Sequence, residues 1–282
     1  MRLILWLWGV LWQSSAFAEQ TLTQFTDVTP PAQRIVALAP HITEMLFAIG
    51  AGANVVAVSD YSDFPASAKA LPSVASYAAV NIEAVLALKA DLVIAWRNGN
   101  PEHDLHRLRQ FGVRVVYSNP KHLDDISAEL RQFGHYTGQQ GQAEQVAQAY
   151  SAELAQLRRQ YQHKKPLKVF FAMGTAPLST VANNAWPQQL LMLCGADNAF
   201  AAAKGDYPQV GIEQVVAAQP EVLVLPHQPG VAVDLNYWQR FAAIPAVKQQ
   251  HYISVDADHL YRTTPRTLLG ARQLCQALDA YR

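Results

Sequence analysis

The chain has 282 residues, half of them hydrophobic, with 22 basic and 22 acidic side chains and a formal net charge of zero. That length accommodates two α/β lobes, each with a core of its own. Balanced charge argues against nucleic acid or an anionic membrane surface as the principal partner.

In chain order, residues 1–18 read as an export signal. Arg2 is the positive n-region, Leu3 to Trp12 form an apolar run of ten, and Ala16-Phe17-Ala18 supplies the small-x-small pattern cleaved after Ala18. The run falls short of the about 20 apolar residues that cross a bilayer core, which disfavours an uncleaved anchor. No cysteine near the cleavage point could carry a lipid. Removing these eighteen residues leaves 264, with 21 basic against 22 acidic side chains. The expected product is soluble in the periplasm of a Gram-negative cell.

Strand-like runs then alternate with helical spacing. Arg34 to Ala39, Val55 to Val58, Leu92 to Trp96 and Val113 to Tyr117 are short β-branched or aromatic runs, and Thr43 to Ile49 has helical apolar spacing. Such alternation predicts βα units on a parallel sheet, with ligands at the carboxyl ends of the strands. The pattern breaks at Gly134 to Gly141, rich in Gly and Gln. One long helix is predicted from there to about His163, because Ala143, Val146, Ala147, Tyr150, Leu154, Leu157 and Tyr161 recur at spacings of three and four. At 1.5 Å per residue it is about 35 Å long. Lys164-Lys165-Pro166 ends it, and Lys168 to Ala172 is the next strand.

The second half echoes the first. Ile82-Glu83-x-Val85-x-Ala87 precedes Asp91-Leu92-Val93-Ile94, and 130 residues later Ile212-Glu213-x-Val215-x-Ala217 precedes Glu221-Val222-Leu223-Val224. Ile49-Gly50-Ala51-Gly52 likewise has a counterpart in Cys194-Gly195-Ala196-Asp197. These read as one helix–turn–strand element used twice. The division expected is an N-terminal lobe at 34–138, a linker helix at 139–165 and a C-terminal lobe at 166–282, with a ligand cleft between the lobes.

The two cysteines, Cys194 and Cys275, read as a disulfide in an oxidising compartment, the alternative being two buried free thiols. Enzyme signatures are wanting. Gly50-Ala51-Gly52-Ala53 follows a helix and lacks the third glycine of a dinucleotide fingerprint. No Gly-x-Ser-x-Gly elbow or Walker loop occurs. His103 and His106, with Asp104 between them, read as a solvated helix face in preference to a metal pair.

Several stretches, in order, resemble one family. They include Ala39-Pro40-His41-x-Thr43-Glu44, Ser59-x-Tyr61-Ser62-Asp63-x-Pro65, Asn81-Ile82-Glu83, Trp96-Arg97-x-Gly99-Asn100, Pro208-Gln209-Val210 and Arg262-x-x-Pro265-Arg266. From about Arg34 to the C-terminus the chain resembles the helical-backbone (class III) solute-binding proteins of ATP-binding-cassette importers, and among them those for cobalamin. The resemblance implies an α/β fold of two lobes, each a parallel sheet flanked by helices, joined by one long α-helix. It implies a corrinoid as transported ligand, with no cofactor and no enzymatic activity. Tyr61, Tyr77 and Trp96 of the first lobe, and Tyr207, Asp258 and Arg262 of the second, match ligand-contacting positions. Aromatic rings suit the faces of a corrin, and Asp and Arg suit its rim of amides. Tyr77 and Tyr207 stand where tryptophan can occur in the family, and Ser179 where phenylalanine can. Glu83 and Glu213 would dock onto arginine pockets of a membrane permease–ATPase complex. A monomer with no nucleic-acid partner is expected. His41, before a helix, is a further candidate for touching ligand or metal. The alternative within the family is a haem or siderophore binder, with Tyr61 or His41 as axial ligand.

Overall fold

The computed structural model describes residues 30–228 and 230–282. The export signal expected at 1–18 lies outside the described residues. The first lobe is built from β1 (Ile35–Ala37), α1 (Pro40–Ala48), β2 (Val55–Ser59), β3 (Ser73–Ala75), α2 (Ile82–Ala87), β4 (Leu92–Trp96), α3 (Glu102–Gln110), β5 (Val115–Ser118) and α4 (Asp125–Thr137). Its five strands form a parallel sheet in the order β3-β2-β1-β4-β5. Next comes α5 (Gln140–Tyr161). The second lobe holds β6 (Leu167–Phe171), β7 (Gly174–Thr175), β8 (Leu178–Ser179), α6 (Trp186–Leu193), β9 (Ala196–Asn198), α7 (Ile212–Ala218), β10 (Val222–His227), α8 (Asn236–Gln239), α9 (Pro245–Gln249), β11 (Tyr252–Asp256), α10 (Ala257–Tyr261) and α11 (Thr267–Asp279). Four of its strands form a parallel sheet in the order β11-β10-β6-β9, and β7 and β8 pair as a small antiparallel hairpin. The expected two-lobed α/β architecture is therefore the one observed.

The central strands β1, β4 and β10 are buried on both faces along most of their length, which is why they are continuous apolar runs, whereas the edge strand β11 alternates. Successive residues enter different cores. Ile35, Ala37, Leu92 and Ile94 pack toward α1, α4 and α5, while Val36, Val93 and Ala95 pack with Val85 of α2 and Leu105 and Leu108 of α3. The second sheet repeats the arrangement, with Val169, Phe171, Val222 and Val224 on one side and Phe170, Leu223 and Leu225 on the other.

The internal repeat is structural. The strand order β2-β1-β4-β5 maps onto β9-β6-β10-β11, and α2–β4 onto α7–β10. Ile49 and Cys194 end α1 and α6, and the following Gly50 and Gly195 both take the left-handed conformation, at φ 81° and 65°.

The long helix begins at Gln140 and ends at Tyr161, two residues short of the expected end. Six of its seven stripe residues are buried; Val146 is partly so. The Gly/Gln-rich stretch 134–141 is not the break it suggested. Helix α4 runs through Gly134 to Thr137, and two residues separate it from α5. Tyr150 donates to the Leu123 carbonyl at 2.8 Å, and Arg158 grips Asp124 with both terminal nitrogens, at 2.8 and 2.5 Å. Residues of α5 belong to one hydrophobic cluster with Ile126 and Leu130 of α4 and with Leu190, Leu191 and Leu274 of α6 and α11. The helix is thus shared core of both lobes, not a tether.

A consequence is limited hinge bending compared with proteins whose lobes are joined by flexible strands. Solution scattering with and without ligand should show only a small change in radius of gyration. A large compaction would contradict it.

Cys194, at the C-terminal end of α6, and Cys275, in α11, form a disulfide with both residues fully buried. Of the pair on α3, His103 and His106 are exposed as expected. Asp104 is not part of that solvated face: it is buried and accepts the Val80 N–H at 2.9 Å, tying α3 to the segment that leads into α2.

Candidate functional site

Trp96 ends β4, and its placement follows from the turn after it. The Trp96 N–H donates to Asn100 Oδ1 at 2.7 Å, while Asn100 Nδ2 donates to the Leu38 carbonyl at 2.9 Å. The asparagine side chain thus locks the turn to the end of the neighbouring strand. Gly99 lies against the indole so closely that a Cβ there would fall 2.0 Å from Trp96 Cε3. Any other residue would displace the ring. Trp96 is 47% exposed, so it is not the buried strand end that its sequence neighbours suggest.

Tyr61 follows β2 and is 82% exposed, in the left-handed backbone conformation at φ 63°. Tyr77 follows β3 and is 89% exposed, on a turn in which Ser76 Oγ accepts the N–H groups of Ala78 and Ala79. Tyr61, Tyr77 and Trp96 line one hollow of about 180 Å³, together with Pro40, Ser59, Asp60 and Asn100. It lies at the carboxyl ends of β1, β2 and β4, where parallel sheets receive ligands. Two large exposed aromatics on adjoining loops are unusual for a plain surface, since such rings are ordinarily covered.

His41, the second residue of α1, is buried. Its Nε2 meets Ser118 Oγ at 2.9 Å, and Ser118 donates to Glu129 Oε2 at 2.6 Å. The His41 ring stands edge-on to Trp96, with centroids 5.7 Å apart. Burial, then the nearby Arg262 charge, lowers its pKa to about 3, so the imidazole is neutral. Its place is beneath the tryptophan, as a support for that ring.

On the second lobe, Tyr207 is 51% exposed, in a loop held to the strand β8 region by the bonds from Thr180 N–H to the Pro208 carbonyl and Ala182 N–H to the Asp206 carbonyl. Burial of the rest of the ring pushes its hydroxyl pKa up. Ser179 bridges to Gln209 beside it and adds no aromatic surface. Asp258 lies in α10, and Arg262 follows that helix. Arg262 is engaged with the opposite lobe: Nη1 lies 2.9 Å from Glu44 Oε1 and 2.7 Å from Asp63 Oδ1, and Nη2 lies 3.3 Å from the Tyr61 carbonyl; within its own lobe Nη2 also lies 3.0 Å from Asp258 Oδ2. Burial works to raise the Asp63 pKa, but the hydrogen bond and charge of Arg262 hold it below the usual range. The six candidates therefore fall into an N-lobe aromatic trio, a C-lobe tyrosine, and an Asp–Arg pair whose arginine reaches across.

Residues 35–259 match the periplasmic binding protein family. The chain belongs to that family. A vitamin B12-binding protein of Pectobacterium carotovorum subsp. carotovorum (strain PC1) is 39% identical over 283 residues, spanning 99% of this chain and 96% of its own. A vitamin B12-binding protein of Vibrio vulnificus (strain CMCP6) is 40% identical over 249 residues, 87% of this chain and 90% of its own. The solved structure of the periplasmic vitamin B12 binding protein of Vibrio cholerae is 39% identical, with TM-score 0.81 over 89% of this chain and 98% of its own. A periplasmic heme-binding protein from Roseiflexus sp. RS-1 in apo form is 28% identical, with TM-score 0.78 over 89% and 100% of the two chains.

For a member of this family, the docking candidates have a simple placement. Glu83 and Glu213 are exposed in the first turns of α2 and α7, the repeated helices. Three further charged residues that were not among the site candidates gather around Arg262: Glu44, Asp63 and Arg266. Arg266 Nη1 lies 3.0 Å from Glu44 Oε1, and its guanidinium covers the Phe64 ring at 3.8 Å. Their signal was present in the motifs containing Glu44 and Arg266, but nothing local pairs residues more than 200 positions apart. Among the described residues no cluster of three metal-ligating side chains occurs.

Proposed function

We propose that this chain captures cobalamin or a closely related corrinoid in the cleft between its lobes, in the periplasm, and delivers it to an ATP-driven membrane importer. The observation that carries the reading is identity of 39% along 99% of the chain with a relative named for vitamin B12 binding. The cleft supports it. The hollow lined by Tyr61, Tyr77 and Trp96 is smaller than the roughly 300–1,000 Å³ of drug-sized sites. A disc as broad as a corrin therefore needs the second lobe, where Tyr207, Asp258 and Arg262 stand. Aromatic faces cover the ring and the charged pair meets its amides. The chain acts as a carrier and not a catalyst, and the working domain boundaries are 34–138, 139–165 and 166–282. Glu83 and Glu213 face the permease.

Titration of the purified protein with cyanocobalamin and with haem, followed by absorbance and calorimetry, tests the ligand. One corrinoid per chain is the expected result, and binding of haem alone overturns the reading. Haem is the second reading because a heme-binding protein shares the fold at 28% identity. It would have to draw its axial ligand from Tyr61, since His41 is buried and hydrogen-bonded to Ser118.

Trp96→Ala and Tyr61→Ala should each weaken corrinoid binding by about 1–3 kcal/mol through lost aromatic burial. If both variants bind as the unaltered protein does, the cleft has been wrongly assigned.

A further inference from the structure

The loop carrying Tyr61 is held from the other lobe at three successive points. Arg262 Nη2 donates to the Tyr61 carbonyl at 3.3 Å, Arg262 Nη1 binds Asp63 at 2.7 Å, and the Arg266 guanidinium lies over the Phe64 ring at 3.8 Å. Tyr61 itself has φ 63°, a left-handed conformation. In a non-glycine residue this costs about 1–2 kcal/mol and persists only where the surroundings over-determine it. Here part of those surroundings belongs to the second lobe.

Both arginines converge on one acceptor. Glu44, on α1 of the first lobe, has a side chain only 3% exposed, and its Oε1 accepts from Arg262 Nη1 at 2.9 Å and from Arg266 Nη1 at 3.0 Å. Its Oε2 is buried with no hydrogen-bond partner. A buried carboxylate with one free oxygen is expensive, and its retention is explained by the two cations that share the other oxygen. The remaining contacts of the pair are local to the second lobe. Arg262 also meets Asp258 at 3.0 Å, and Arg266 Nη2 donates to His259 Nε2 at 2.9 Å, so that histidine is neutral.

We infer that Glu44 is a positioning residue of the binding cleft: it fixes Arg262 and Arg266 across the lobe interface, and through them holds residues 61–64 and the aromatic ring of Tyr61 in place for the ligand. The cluster acts as a clasp on the cleft side of the molecule. A second link between the lobes is the shared core around α5 together with the Gln189 side chain, bonded to the Leu123 N–H at 3.0 Å and the Lys121 carbonyl at 2.6 Å. The clasp then decides how the two faces of the cleft are spaced, and which ligand thickness fits between them. This inference rests on the corrinoid reading for its ligand, but not for its geometry.

Glu44→Gln is the informative change, because the amide keeps the shape and can still accept at Oε1 while removing the charge that two guanidiniums share. Two measurements are made on the full-length mature protein. The first is the distance between spin labels on cysteines placed at the exposed Arg107 and Lys248, one on each lobe, without ligand. The inference expects a broadened or lengthened distribution in Glu44→Gln. The second is the rate of cyanocobalamin release, expected to rise about tenfold with little change in the association rate. Arg266→Gln should alter release much less in the Glu44→Gln background than alone, because the two residues form one unit. An unchanged distance distribution together with unchanged release overturns the inference. If the unaltered protein fails to bind cyanocobalamin, the functional reading fails, and the spin-label distances alone decide the clasp.

Discussion

Replacing Glu83 or Glu213 by arginine is expected to abolish uptake through the reconstituted importer while leaving corrinoid affinity near that of the unaltered protein. The two glutamates occupy the same place in the repeated helix–strand element, in the first turn of α2 and of α7, and both are exposed. A carboxylate at a helix start gains about 0.3–1 kcal/mol from the helix dipole, which is the plainest reason for its presence. Other groups already cap these helices, however. Asn81 Oδ1 accepts the Ala84 N–H at 3.0 Å in α2, and Gln214 Oε1 accepts the Gly211 N–H at 2.7 Å in α7. Among the described residues, no hydrogen bond or ion pair engages either glutamate side chain. Two unengaged carboxylates, related by the repeat, suit a two-fold membrane partner with an arginine pocket for each. Arginine–carboxylate pairs orient as well as attract. Charge reversal both removes that pair and sets like charges together, which costs several kcal/mol. At about 1.4 kcal/mol per tenfold, docking becomes negligible. Ligand titration of each variant is paired with uptake or stimulated ATP hydrolysis. Normal transport by both variants would reduce the glutamates to helix-start residues.

Removing the Cys194–Cys275 bond should lower stability by about 4–5 kcal/mol, the chain-entropy value for a bond that links residues 81 apart in sequence. For a chain of this size that corresponds to a melting temperature lower by roughly 7–9 °C. The double variant Cys194→Ala, Cys275→Ala is compared with the native protein by thermal unfolding, and non-reducing mass spectrometry of exported material is expected to show the linked peptides. The loss falls on stability and not on ligand affinity, because the bond joins α6 to α11 within the second lobe. Neighbouring contacts keep α11 in place meanwhile: Lys164 pairs with Asp279 at 3.0 Å, and the Arg282 side chain donates to the carbonyls of Cys194 and Lys165. Free thiols in native material, or an unchanged melting temperature, would refute the expectation.

Much of the fold was legible because it is periodic. Leu92–Trp96 was expected as a strand and is one to the residue, since a strand buried on both faces must be apolar throughout. The α5 stripe and the 130-residue repeat were legible for the same reason: packing a helix or a sheet demands side chains at fixed spacings. Helix α4 escaped because Gly134 within it resembled a break. The signal was nevertheless there, in Ile126, Leu130, Phe133 and Thr137 at spacings of four, three and four, all buried. Strands β3, β7 and β8, two or three residues long, are too short to carry a period.

The site divides along the same line. From the sequence by itself came the identity of the six candidate contact residues, the matched pair of glutamates and the two cysteines, all read from local motifs or from resemblance. Only the tertiary structure decided what Arg262 does, for its partners Glu44 and Asp63 lie 218 and 199 positions away. It also decided that Trp96 lines an open hollow and does not enter the core, through the Asn100 lock and the room left by Gly99. The physical reason is that periodicity records only which side of an element is covered. Which charges meet across a cleft depends on how whole lobes are packed, and no short stretch of chain carries that information.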